Sequence, residues 1–397
     1  MADGSRDAMI TGIGLVSSLG EGMEAHRAAL RGGRPVVDAT TYAPRLVHPI
    51  VALDYERQIP KRGDQRQMEP WQRIGTYAAG LALEHAGVKG DTALLDRTHM
   101  LVAAGGGERD YAVDAAILTG LATAPDPEAF LNDHLLNDLR PTLFLAQLSN
   151  LLAGNISIVH GVVGSSRTLM GEEAAGADAV RIACSRIAAG QGELFLVGGS
   201  FNAQRLDNLL QNEMGGLLFK HDFAGIWSRQ ALGGGLVIGS LGCFLVIESR
   251  AHAKARGAAA HAHIAGIRTD RSARRPGQAT GNAMRQWQEM RHMVDPAATA
   301  VLSGASGAAA PTSEERQFLV RLGLPVRATA TMLGHSFEPS FVANLALAAD
   351  AVSHGALFGP LDDGEAPAPA NVRHVTVTSW GHWRGESMAV VERAERR

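Results

Sequence analysis

The stretch Gly164-Ser165-Ser166-Arg167-Thr168-Leu169-Met170-Gly171-Glu172-Glu173-Ala174-Ala175-Gly176 has the build of a site that could do chemistry. Apolar and polar residues alternate from Ser166 to Met170, then give way to small residues and a helical period running through Ile182 to Ile187. A strand therefore turns sharply into a helix, and the first helical side chain stands where the unpaired N–H groups of the helix end point. A nucleophile belongs at such a tip, yet the residue there is Glu173. A carboxylate can act as a general base when burial raises its pKa. The helix end works the other way: it favours the ionised form by up to about 1 kcal/mol, or about 2 in a partly buried site, and so lowers basicity. A structural role for Glu173, as a charge satisfied by the helix end, is the expectation, and the base is its alternative.

A second elbow, Met332-Leu333-Gly334-His335, precedes a helix from Ser340 to Val352. Two facing elbows put Glu173 and His335 near one shared site, where His335 is either an imidazole donor or a packing residue. Cys184 lies on the elbow helix about three turns beyond Glu173, which makes it a core thiol. His261 and His263 share one strand face with no third ligand nearby, so no metal site is expected. Gly12-Ile13-Gly14 lacks both a third glycine at Ser17 and an acidic residue after a second strand, so no dinucleotide cofactor is expected either.

These candidates need elements to hold them. Ala8 to Val16 reads as a buried strand entering a glycine turn, His99 to Ala104 as a second strand, and Glu193 to Gly199 and Leu241 to Ile247 as two more. Helices are expected from Trp71 to Ala86 and from Leu143 to Ile158, and Lys61 to Arg66 as a solvated loop. Strand and helix alternate as in a parallel, helix-covered α/β sheet. From Ala251 the order begins again, with strands at His261 to Ile267, Ala298 to Leu302 and Val326 to Ala330, and a closing β pair at Asn371 to Trp380 and Met388 to Val391. Two similar halves are therefore expected, residues 1–250 and 251–397.

The 397 residues are 46% hydrophobic and 19% charged, an ordinary globular composition. A formal net charge of −3 gives no electrostatic case for nucleic acid. Two cysteines, Cys184 and Cys243, fit a reducing compartment. No apolar run approaches the roughly 20 residues of a membrane span, and a cytoplasmic location is expected.

Seven runs keep one order along nearly the whole chain: Gly12 to Gly20, Asn150-Leu151-Leu152-Ala153-Gly154, the elbow, Val197-Gly198-Gly199, Gly235 to Gly239, His252 to Gly257, and Gly334-His335. In this the chain resembles the β-ketoacyl-acyl-carrier-protein synthases. That resemblance implies a thiolase fold of two duplicated halves in five layers, α/β/α/β/α, a dimer, and condensation of an acyl thioester with malonyl-carrier protein. The family uses a cysteine to hold the acyl chain, two histidines to stabilise charge as malonate decarboxylates, and a supporting lysine. The cysteine's place falls on Glu173, the first histidine's on Gly304, the lysine's on Ala330, and only His335 is kept. Where the family has a small-residue turn gating the acyl pocket, Ser379-Trp380-Gly381-His382-Trp383-Arg384-Gly385 brings two indoles and an arginine. Trp380, His382 and Trp383 are thus expected at a plugged or reshaped substrate pocket.

Joint loss of the nucleophile, the first histidine and the lysine resembles chain-length-factor subunits, which pair with a cysteine-bearing ketosynthase. The run Arg62 to Gln67 and the Ser-Ser-Arg-Thr elbow resemble the second ketosynthase of clusters that build very long acyl chains for lipid A. The implied partners are an acyl carrier protein and a cysteine-bearing ketosynthase in a heterodimer, or a second copy in a homodimer. The alternatives are an active synthase or malonyl-thioester decarboxylase with unconventional residues, and an acyl-binding scaffold.

Overall fold

A computed structural model describes residues 4–107, 109–273, 275–382 and 385–394. Its first strand, β1 (Ala8–Ser17), is buried along its whole length because it has strands on both sides and layers on both faces. Gly12 and Gly14 do not make a turn, as expected, but lie inside this strand. A Cβ on Gly12 would sit 2.4 Å from the Ala82 carbonyl oxygen, and one on Gly14 2.0 Å from that of Ala78. Glycine is needed there so that helix α1 (Pro70–His85) can lie directly on the strand.

Four more strands complete a first set: β2 (His99–Ala103), β3 (Ser166–Leu169), β4 (Leu194–Phe201) and β5 (Leu241–Ser249). Their order across the sheet is β1-β5-β4-β2-β3. The second set is β6 (Ala262–Asp270), β7 (Thr299–Ser303), β8 (Val326–Ala328), β9 (His374–Trp380) and β10 (Glu386–Arg393), in the order β6-β10-β9-β7-β8. Ranked by chain position, both sets read first, fifth, fourth, second, third. The sheet is mixed rather than parallel as expected: β5 and β10 run antiparallel to both of their neighbours. Both are buried on two faces, so their residues show the continuous apolar run of a buried parallel strand and do not betray direction. Met9 pairs with His263 and Ile10 with Ala262, which joins the two sets at one edge.

Helices fill the spaces in five layers. On the outer face of the first set lie α1 and α2 (Leu151–His160), packed through Trp71, Ile74, Tyr77, Leu152 and Ile156. Between the sets lie α3 (Glu173–Ala188) and, later in the chain, the buried helix Ser340–His354, in one core with Leu245, Val375 and Val391. That late helix is apolar on nearly every side, as a helix enclosed by two sheets must be. On the outer face of the second set lie α4 (Gln278–Met290) and α5 (Ala309–Leu322), and the Ser340–His354 helix is α6.

Two local expectations are corrected. The helix expected over Leu143 to Ile158 is broken into Thr142–Ala146 and α2. Tight turns from Leu148 N–H to Leu145 and from Leu151 N–H to Leu148 intervene, in a run where Ser149 and Asn150 favour turns over helix. Lys61 to Arg66, expected as a loop, carries an exposed helix over Arg62–Gln67. Bonds from Arg62 to Glu56 and from Gln65 to the Ile59 carbonyl hold it. Among the described residues no helix is long and apolar enough to cross a membrane.

Candidate active site

Helices α3 and α6 pack side by side, and each is entered through a strained residue. Glu172 has φ 48° and ψ −129°, and Phe337 has φ 52°; both are non-glycine residues at positive φ. Such backbone is held only where the surroundings enforce it. Here small residues allow the enforcement: a Cβ on Gly176 would sit 2.3 Å from the Glu338 carbonyl oxygen. The Gly334–His335 segment is pinned to the chain at Gly239, His335 N–H donating to the Val237 carbonyl at 2.8 Å and Gly239 N–H to that of His335 at 3.0 Å.

These entries bring Glu173 and His335 together. His335 Nε2 lies 2.9 Å from Glu173 Oε1, which also accepts the backbone N–H of His382 at 3.2 Å. Both side chains are almost wholly buried, and the His335 ring meets Phe337 edge to face. Burial pushes the Glu173 carboxyl up, but the bond to His335, its charge, and the amides of Glu173 and His382 pull harder, and the group ends below the usual carboxylate range. A carboxylate so held is a poor base. Its other oxygen has no hydrogen-bond partner among the described residues.

The pair should matter to stability. Removing one partner of a buried pair typically costs about 3–5 kcal/mol, so Glu173→Ala should lower the unfolding free energy by that order in denaturant titration at neutral pH. A depressed folded pKa stabilises above the unfolded value and ceases to do so as pH falls through the folded one. The advantage of the native chain over Glu173→Gln should accordingly shrink below about pH 4.3.

The other expected positions are separate. Gly304 follows β7 with no room for a side chain: a Cβ there would meet the Thr378 carbonyl oxygen at 2.6 Å and Ser379 Cα at 3.0 Å. Ala330 opens the short helix Ala330–Leu333 and is buried. Trp380, expected at the substrate pocket, does not line the cavity beside the elbow. As the last residue of β9 it turns to the outer core of the second strand set, its ring 5.5 Å from Phe318. His382 reaches Glu173 through its backbone, and Trp383 lies outside the described residues. Burial pushes the Cys184 thiol up to about 12 and raises that of Cys243 too, so neither is a nucleophile at neutral pH.

Two carboxyls escaped the sequence reading. A cavity of about 250 Å³ opens on the outer side of the elbow, between Glu172, Phe337, Glu338, Gly105 and Arg205. Neither Glu173 nor His335 lines it. Glu338 is only 6% exposed, and burial, with the charges of Glu173 and Glu172 added, pushes its carboxyl up to about 7 against its own backbone N–H and Arg205. The signal for it was an acidic residue opening an otherwise apolar helix run, three positions after His335. Glu315 on α5 is buried near Gly304 and accepts from Ser303 Oγ at 2.8 Å and Thr378 Oγ1 at 2.6 Å. Burial pushes it up to about 7 despite those bonds. The site thus has a closed carboxylate–imidazole pair behind the elbow, a cavity in front, and no thiol at either place.

Against this geometry, the profile described as beta-ketoacyl synthase, N-terminal domain, matches residues 5–253. The 3-oxoacyl-[acyl-carrier-protein] synthase 2 of Vibrio cholerae is 24% identical over 273 residues, and that of Vibrio harveyi 26% over 271. The aligned segment spans 66% of this chain and 62% of each relative. Among solved structures, the ishigamide ketosynthase/chain length factor is similar at a TM-score of 0.79 and 22% identity, covering 98% of this chain and 100% of that one. A β-ketoacyl synthase from Burkholderia phymatum STM815 is similar at 0.77 and 19%, with the same coverage. A type II polyketide acyl-carrier protein in complex with its ketosynthase, AntDE:AntF, gives 0.76 and 17% over 98% of this chain and 100% of that one. At these identities the structural likeness speaks to the fold, which is the thiolase fold of the ketosynthases. With a family profile matched over well more than half its length, the chain belongs to the β-ketoacyl synthase family.

Proposed function

We propose that this chain is a ketosynthase-like subunit that does not condense by itself and pairs with a cysteine-bearing β-ketoacyl synthase, whose acyl pocket it shapes. The observation that carries the reading is the buried 2.9 Å bond between Glu173 and His335. In this reading a carboxylate stands where an acyl-accepting thiol would, and the imidazole of His335 is engaged by it. Gly304, hemmed in by β9, and Ala330 supply neither of the other two groups. Pairing is supported by apolar exposure around the free edge strand β3: Phe144, Ile158, Val163 and Met170 are 69%, 71%, 61% and 64% exposed. An unpaired edge beside such a surface is a place for another chain to add.

In this reading the acyl carrier protein delivers substrate to the partner's cysteine, and this subunit limits chain length from the far side of the interface. The repeats divide at residues 250 and 251. The second ketosynthase of a very-long-chain cluster is the finer assignment, resting on Arg62 to Gln67 and the Ser165–Thr168 run. A malonyl-thioester decarboxylase is disfavoured because the Glu338 carboxyl stands in the cavity beside the elbow, where the lining's cation, Arg205, is bonded to Asp207.

The test is intact-mass spectrometry of the purified chain after incubation with acyl-carrier-protein thioester, together with co-expression with a cysteine-bearing ketosynthase. No acyl adduct on the chain alone, and condensation only by the pair, are expected. An adduct on Cys184 or any other residue would overturn the reading.

A further inference from the structure

Glu338 has no counter-charge of its own. Its Oε1 is packed against Gly105, where a Cβ would come within 2.8 Å, so only glycine leaves room for the carboxyl. Among the described residues the one hydrogen bond that bears on it comes from its own backbone N–H. Arg205, the cation on the cavity wall, is already committed. Its Nε and Nη2 bond Asp207 at 3.1 and 2.5 Å, and its Nη1 bonds the Gly106 carbonyl at 2.9 Å. The lining therefore carries the Glu338 carboxyl with no ion pair among the described residues, beside an arginine bonded to Asp207. Two charged groups act on Glu338 besides Arg205, Glu172 and Glu173 at the start of α3, and the imidazole of His335 is bound to Glu173. One stretch of the wall is apolar or aromatic, with Trp71, Leu217, and the rings of Phe201 and Phe337 tilted at 54° with centroids 5.1 Å apart, and the side chains of Asn202, Asn208, Gln211 and Asn212 line the remainder.

We propose that this cavity binds a primary ammonium group carried on a short aliphatic chain, with the Glu338 carboxylate as its counter-ion and the Phe201–Phe337 wall around the chain. Buried charges in proteins are paired, and among the described residues no cation is bonded to Glu338. An ammonium within contact of the carboxylate satisfies it, the aromatic faces add cation–π attraction, and the aliphatic segment covers the apolar wall. A carboxylate ligand meets the like charge of Glu338 and is excluded. The site uses residues of this chain alone and goes beyond the pairing reading.

The probes are hexylammonium, hexan-1-ol and hexanoate, titrated calorimetrically into the full chain. Hexylammonium should bind at least tenfold more tightly than hexanol at pH 8, with no detectable hexanoate binding. Because a neighbouring cation lowers the pKa of Glu338, complex formation near pH 7 should release protons, seen as heats that differ between buffers of different ionisation enthalpy, and affinity should rise from pH 6 to pH 8. Glu338→Gln should erase the preference for ammonium while circular dichroism stays native. Equal or tighter binding of hexanol, or a preference that survives Glu338→Gln, would overturn the proposal. Should that variant fail to fold, binding without proton release in the native chain overturns it alone.

Discussion

Glu173→Cys is expected to leave condensation of malonyl-carrier protein at no more than a trace, even if the new thiol accepts an acyl group. The cysteine would sit at the start of α3, where the helix end lowers its pKa, so acylation is feasible. Condensation then requires charge stabilisation as the malonyl group loses carbon dioxide. Losing one such donor typically costs about 100- to 1,000-fold, and in the proposed reading two of the three family groups are missing, at Gly304 and Ala330. Gly304→His does not mend this, since the backbone of Thr378 and Ser379 stands where its Cβ would go. The measurement is turnover of a malonyl-carrier-protein assay beside an acyl-adduct assay on the same sample. Turnover within tenfold of an ordinary ketosynthase would refute the assignment of the missing groups.

Phe144→Asp combined with Ile158→Asp is expected to dissociate this chain from the cysteine-bearing ketosynthase proposed above as its partner, without unfolding it. Both side chains are about 70% exposed in the single chain, at 69% and 71%. Burying an apolar side chain of this size contributes roughly 1.5–3 kcal/mol, so losing two gives about 4 kcal/mol, near a thousandfold in Kd. A buried carboxylate without a partner adds to that. Analytical ultracentrifugation of the co-expressed pair should show separated subunits, while circular dichroism of the variant stays native. An undiminished complex would place the interface elsewhere. Gly154→Trp is a gentler form of the test, because a Cβ on Gly154 meets only the tip of Leu151, at 3.7 Å. Ala153 is already buried within the chain and would confound it.

What could be read from residues alone was whatever had a local cause. The elbow was legible because Ser166 to Met170 alternates and the helix after it opens on small residues. His335 was legible because the order of elements repeats. The direction of β5 and β10 was not, since burial on two faces erases the alternation that marks an antiparallel strand. Gly12 and Gly14 were misread because a glycine that admits a helix looks the same as one that makes a turn. Glu338 depends on Gly105 at the far end of β2, and Trp380 on the alternation along β9. Contacts between distant segments of the chain leave no periodic trace in it.

The central layer has a consequence for how the molecule is made. α3 belongs to the first strand set and α6 to the second, yet they share one core, so neither set can cover its inner face before the other has arrived. During synthesis Phe195, Leu245 and Ile247 of the first set must wait, exposed or loosely collapsed, until the segment around Phe341 to Val352 leaves the ribosome. Non-local contacts of this kind make folding slow and leave apolar surface open to aggregation in the interval. The same dependence makes the finished molecule all-or-none: loosening α6 uncovers both strand sets at once.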